Sequence, residues 1–461
     1  IVSQVGRVLS LGTGDGTVFD QTTVTAFPGS SGGGVFLSER SGDKAGQYMG
    51  MLVRGAGETF NLIVPVRRMR SWAAKQDILW AIDGNKEVGK IFQKELDKLG
   101  FKTYWVTYHD SVKRAGHLFA EMRGGKGKKI VMIGHLDTVF EVDHPFQKYV
   151  RKGNKAFGPG IADMKSGDVS MIYIMKALNH VGVLKDMNLT LAFIGDEEKL
   201  GAHSSIVRKE LIEAGKWADI GFGFEGAGGM NTGTIARRSA SSWILKTTGI
   251  QGHSSRVFSE SLGYGAIFES SRILNAFREE LSEEEYLTFN PGAIVGGTDI
   301  EYDPLNARGN AYGKTNVVSQ SVVVHGGIRT ISMDQLENAM NSMKKIVSNN
   351  LPGTTASIEF KTSYPPMEPT QANYDLLDQL EEVNKALGYG VLNPLDPSLR
   401  GAADISFVAP HVDAALAGMG PAGFGAHSED EWLDLSTFPK TYLSNITSPI
   451  NKTFPYNLNS L

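Results

Sequence analysis

Cysteine is absent from all 461 residues. That removes disulfides, thiolate nucleophiles and sulfur-rich structural zinc sites together, so any metal must be held by nitrogen and oxygen. Long apolar runs are also missing. None approaches the roughly 18–20 residues that span a bilayer, so the chain reads as soluble, cytoplasmic or periplasmic, with no membrane span. It begins at Ile1, which leaves room for a signal peptide before it. There is no basic excess either: the formal net charge of -4 provides no general attraction to nucleic acid or anionic membrane.

What is present is ordinary in bulk and informative in pattern. A hydrophobic content of 41% with 21% charged residues suits a globular protein, and the length suggests two or three domains. Residues 1–80 are rich in Gly, Val and Thr, with short runs such as YMGMLVRG and FNLIVPV; they read as an all-β segment. Residues 84–235 alternate helix and strand. EVGKIFQKELDKLG is an amphipathic helix closed by Gly100, FKTYWVTY a strand and DVSMIYIMKALNHVG a helix, the signature of a doubly wound α/β sheet. Residues 236–365 carry two helical and several strand patterns and read as an inserted α+β domain. The α/β character returns over 366–445, followed by an irregular tail at 446–461.

The chemistry sits at the exits of the apolar runs. KKIVMIGHLDTVF ends on His135 with Asp137 behind it, LTLAFIGDEEKLG leads to Glu197 and Glu198, and ADIGFGFEGAG leads to Glu225. Gly-bounded apolar runs read as buried parallel strands, and ligands bind where the carboxyl ends of such strands converge. Asp163 lies on a loop before a helix, and His427 near the C-terminus. Two histidines and three carboxylates from distant segments point to one metal site. In the H-x-D spacing, Asp137 supports the His135 imidazole from behind. Of the adjacent glutamates, one binds metal while its neighbour serves as general base. The two oxygens of Asp163 can bridge two ions.

GHLDTV, GPGIADMKSG, GDEEKLG, FEG, GHSS and GAHSEDE, in that order, resemble the co-catalytic zinc peptidase and amidohydrolase family of aminoacylase, glutamate carboxypeptidase, acetylornithine deacetylase and succinyl-diaminopimelate desuccinylase. The resemblance covers about 84–440. It implies a mixed-sheet catalytic domain with an inserted dimerisation or lid domain, and a homodimer. It implies His135, Asp163, Glu198, Glu225 and His427 as ligands of two divalent ions. Zinc is expected, with cobalt and manganese also compatible. Glu197 becomes the catalytic base. His253, in GIQGHSSR, would reach the partner subunit's active site and stabilise the oxyanion, while Asn316, Arg329 and Arg400 would bind substrate. Ser319 stands where the family often has Pro. A Glu at position 225 goes with carboxypeptidases and deacylases, so the expected substrate is a small peptide or an N-acyl amino acid. The resemblance also implies a cis peptide at Asp163–Met164.

FPGSSGGGVF resembles the nucleophile loop of a trypsin-like serine protease, with Ser31 at the nucleophile position and Gly29 and Ser31 as oxyanion donors. Such a triad needs a histidine, yet the first in the chain is His109, so Ser31 is expected to be inert. The competing readings are a serine protease fragment and a catalytically dead fusion that retains only metal or ligand binding.

Overall fold

The computed structural model describes residues 83–441, apart from 109–114, 141–143, 200–202 and 305–306, together with the backbone of five strands between residues 2 and 65. Those five, Val2–Leu9, Thr17–Thr22, Gly34–Phe36, Tyr48–Gly55 and Asn61–Pro65, form one antiparallel sheet. Gly29 and Ser31 lie outside the described residues.

Elements are numbered here from Asp83. Helix α1 (Asp83–Lys98) turns Phe92 and Leu96 inward. It stops at Gly100, whose φ of 86° favours a residue without Cβ. Strands β1 (Lys102–Val106), β2 (His117–Met122) and β3 (Lys129–His135) follow, then α2 (Ser166–His180), β4 (Asn188–Ile194), α3 (Lys209–Trp217) and β5 (Ile220–Gly223). After the first residue, β3 and β4 are buried at every position. Alternation sends Ile130, Met132, Leu189, Leu191 and Phe193 into the layer containing α1 and α2. Val131, Ile133, Ala192 and Ile194 enter the opposite layer, with Leu211 of α3 and Phe407. Each fully buried Leu, Ile or Phe contributes roughly 1.5–3 kcal/mol, so a strand covered on both faces must read as an unbroken apolar run.

The chain then builds a second sheet from β6 (Ala240–Gly249), β7 (Thr288–Gly297), β8 (Ser321–Arg329) and β9 (Thr354–Tyr364). All pairs are antiparallel and the order is β7-β8-β6-β9. Helices α4 (Ala266–Leu281) and α5 (Met333–Val347) join it through Trp243, Leu245, Ile273, Phe277, Leu336 and Met343. Ser332 caps α5 by accepting from the Gln335 N–H at 3.0 Å, satisfying one of the orphan donors of its first turn. Helix α6 (Gln371–Ala386) and strand β10 (Ala414–Leu416) return to the first sheet.

That first sheet has the order β10-β5-β3-β4-β2-β1. Strands β10, β5, β3 and β4 are parallel; β2 pairs antiparallel with β4, and β1 pairs antiparallel with β2. The next two sheet strands after β3 fall on opposite sides of it, β4 on one and β5 on the other, which opens a crevice at its carboxyl end. A smaller sheet joins Gly226–Ala227, Gly420–Phe424, Trp432–Asp434, Lys155–Phe157 and Val150–Lys152. It anchors the loops that bear Asp163 and His427.

Candidate metal centre

His135 is the last residue of β3 and is 1% exposed. Its Nε2 lies 3.2 Å from Asp163 Oδ1, and its Nδ1 3.4 Å from Asp137 Oδ1. The second oxygen of Asp163 lies 3.1 Å from His427 Nε2, which is also 3.1 Å from Glu198 Oε2. The strand exits therefore bring together His135, Asp163, Glu198 and His427. Three of them, His135, Asp163 and Glu198, present ligand atoms within 4.8 Å of one another. His427 sits on the hairpin loop after Gly420–Phe424 with φ of 65°, a left-handed conformation in which His is enriched among non-glycine residues. The Asp163–Met164 peptide is cis, as the resemblance implied.

Charges follow the contacts. Burial acts to raise Asp163, but its two imidazole partners hold the carboxyl well below its usual range. The hydrogen bond to Asp163 pushes His427 up to about 9. Burial and the neighbouring Asp163 charge lift Glu198 to about 7. Burial likewise drives Glu197 well above its ordinary value, with Glu225 and Asp404 adding to the effect. Asp137 runs the other way: burial opposes ionisation, yet His135 and two backbone N–H groups keep the carboxyl low. Those donors are the N–H groups of Glu197 and Glu198, at 3.1 and 2.9 Å. One carboxylate thus supports the imidazole and also fixes the turn carrying both glutamates.

Glu225 faces the same small cavity as His135 and Glu197. Its Oε2 accepts from Arg237 Nη2 at 2.7 Å. Arg400 lies against Glu225, 4.0 Å from Oε2, and donates to the Gly226 carbonyl at 2.8 Å; burial and the charge of Arg237 lower it to about 10. Arg329 ends β8 and lines a separate cavity of about 280 Å³ with Ser241, Thr288 and Asn290. His253 and Asn316 stand together on the lid: the Ser254 N–H donates to the Asn316 carbonyl at 2.9 Å. Both are exposed, and the His253 ring bonds Ser255 Oγ of its own loop, 2.8 Å away.

Three groups were given no role by the sequence, although Glu431 ends the GAHSEDE motif. Arg237 grips Glu225. Glu431 accepts from the N–H groups of Gly160, Ala162 and Asp163 at 2.8, 2.8 and 3.0 Å, holding the Asp163 loop. Arg208 is fully buried and joins Asp196 to Asp404. Asp404 belongs to this buried ion-pair network and also lines the cavity of His135, Glu197 and Glu225.

The profile of peptidase family M20/M25/M40 matches residues 131–443, more than half of the chain. The chain belongs to this family. Carboxypeptidase G2 from Pseudomonas sp. is 24% identical over 366 residues, 78% of this chain and 82% of that protein. Succinyl-diaminopimelate desuccinylase from Gluconobacter oxydans is 25% identical over 360 residues, 74% of this chain and 86% of that one. Among solved structures, the aminopeptidase PepT from Bacillus cereus superposes with a TM-score of 0.64 at 17% identity, covering 80% of this chain and 94% of its own. A dinuclear metal-binding peptidase of the M20 family from Bacillus subtilis gives 0.54 at 15% identity, covering 84% and 98%; both show the shared fold. As an M20 member the protein is a metal-dependent hydrolase of amide bonds. Among its described residues no helix is long and apolar enough to cross a membrane.

Proposed function

We propose that this M20 hydrolase uses two divalent ions, zinc expected, to cleave an amide bond in a small peptide or an N-acyl amino acid. The observation that carries the reading is the disposition of Asp163, with one oxygen 3.2 Å from His135 and the other 3.1 Å from His427. A carboxylate whose two oxygens address two different histidines suits a bridge between two ions. The rest of the donor set fits: Glu198 Oε1 is buried without a hydrogen-bond partner, and Glu225 has one oxygen taken by Arg237 and one left for ligation. His135 and Glu225 would complete one site, Glu198 and His427 the other. Bound there, such ions polarise the scissile carbonyl and acidify water.

The remaining steps belong to side chains. Glu197, fixed through its N–H by Asp137, takes the proton of the attacking water and delivers it to the leaving nitrogen. Asp137 keeps His135 in one tautomer and orientation. Arg329, an exposed guanidinium beside an open cavity, binds the substrate carboxylate through paired hydrogen bonds. Arg400 and Asn316 bind substrate as well, Arg400 from beside Glu225. One relative is named a carboxypeptidase and another a desuccinylase, which supports substrates with an acylated nitrogen and a free carboxylate. His253 serves the partner's site in a homodimer formed through the 236–365 lid. In support, the lid exposes Ile267, Phe268 and Ile294 at 48, 51 and 60%, apolar surface that a second subunit would cover.

The test is metal content per chain measured alongside hydrolysis of N-acetyl and γ-glutamyl amino acids. Two ions and chelator-sensitive hydrolysis are expected. A purified protein that binds no metal sinks the reading, and full metal without turnover on a broad panel favours the dead-fusion alternative.

A further inference from the structure

The turn Gly195–Glu198 after β4 has its polar groups bound from two sides. Two of its donors are taken beside the metal centre, where Glu197 and Glu198 N–H donate to Asp137, while Gly195 N–H donates to His117 Nδ1 at 3.1 Å. Its acceptors are held from the opposite side by a different group. Arg208 Nη2 donates to the Asp196 carbonyl at 3.2 Å, and Tyr364 Oη donates to the Glu197 carbonyl at 2.8 Å. Arg208 Nη2 also donates to Tyr364 Oη at 3.2 Å, Nη1 pairs with the Asp196 carboxylate, and Nε donates to Asp404 Oδ1 at 2.7 Å. Arg208, Asp196 and Asp404 are 0, 2 and 4% exposed. A buried guanidinium costs several kcal/mol to desolvate unless it is fully paired, and here all three nitrogens are bonded in one arrangement. Tyr364 is the last residue of β9, the strand by which the lid rejoins the catalytic sheet.

We propose that Arg208 and Tyr364 are positioning residues for the base: they hold the Asp196 and Glu197 carbonyls and tie the Glu197 turn to the end of the lid. The inference rests on the reading of Glu197 as the base, and it assigns a positioning task to a buried ion-pair network. A turn held only from the Asp137 side can pivot about those bonds. The Arg208–Tyr364 grip removes that pivot, and any rotation of the lid is felt at the carbonyl of Glu197.

The decisive variant is Tyr364→Phe, which deletes one hydroxyl and keeps the ring against Phe407, 5.1 Å away between centroids. In the metal-loaded protein kcat is expected to fall about ten- to a hundred-fold, the scale of a base displaced by a fraction of its reach. KM, metal content and the far-ultraviolet circular dichroism stay at the parental values. Hydrogen exchange at the Glu197 and Glu198 amides rises, while exchange across β4 does not. This exchange arm needs no turnover, so it separates failure of the positioning claim from failure of the hydrolase reading. Arg208→Lys, which keeps the charge but loses the fork, should show the same split more strongly. Unchanged kcat and unchanged turn exchange in Tyr364→Phe overturn the proposal. So does a loss of activity that follows loss of metal, or exchange that rises uniformly through the fold.

Discussion

The two regions that carry candidate chemistry are built in opposite ways. At the exit of the catalytic sheet, His135, Asp137, Asp163 and Glu198 are buried or nearly so and bonded to one another within one chain. On the lid, His253 and Asn316 are exposed; the His253 ring bonds Ser255 of its own loop, and the Asn316 carbonyl accepts from Ser254 N–H. A group that must hold cations is assembled before they arrive, since unpaired buried carboxylates are costly. A group that acts on substrate from a partner can wait in solvent. On the proposed reading, ligation would be complete within a single subunit and catalysis would need two.

The largest effect should come from the sheet. Glu197→Gln is expected to lower kcat by about 10³-fold or more, within or beyond the usual contribution of a general base, while two ions per chain remain. Loss of metal in parallel would make Glu197 a ligand, and the assignment of the neighbouring pair would reverse. On the lid, His253→Ala should cost about 10²–10³ in kcat, the value of one oxyanion donor. Mixing this variant with Glu197→Gln offers a sharper form of the comparison. If His253 works across subunits, mixed dimers regain one competent site and activity returns; if it works within its own chain, mixing restores nothing. Arg329→Ala should raise KM about tenfold and leave kcat nearly unchanged, the pattern of lost ground-state binding. A fall in kcat alone would move Arg329 into the reaction itself.

The smallest predicted effect is one of stability. His117 is fully buried, accepts from Gly195 N–H through Nδ1 and donates Nε2–H to the Val207 carbonyl at 2.7 Å. Burial lowers its pKa below the ordinary histidine value. Below that ordinary value, about 6.5, the unfolded chain binds a proton that the folded chain refuses, so this stabilisation is present above it and lost as pH falls. Denaturant midpoints between pH 7 and 5 should decline, and His117→Gln should flatten the decline. An equal slope in both proteins would assign it to other groups.

Legibility in the sequence differed along the same line. The apolar-rich runs KIVMIGH and NLTLAFI became β3 and β4, buried on both faces, because solvent exclusion on both sides favours apolar side chains at nearly every position, with Thr190 the buried exception within β4. Residue identity at their ends then marked the candidate ligands. Glu225 came from the same pattern, but its partner did not: nothing local distinguishes Arg237 from Arg238, although the first bonds Glu225 and the second donates to the Ser398 carbonyl. Glu431 reads as one more acid in SEDEW, and only the fold sets it beneath the Asp163 loop.

By itself the sequence determined the α/β class, the family and a candidate ligand set, since these rest on local periodicity and on side chains whose chemistry is scarce and ordered along the chain. Tertiary structure alone decided who holds the ligands in place. The Arg208–Asp404 and Glu431–Gly160 contacts span 196 and 271 residues. Pairings of that reach are set by how the sheets and the lid close on one another, and an arginine or glutamate carries no local mark of the partner it will meet.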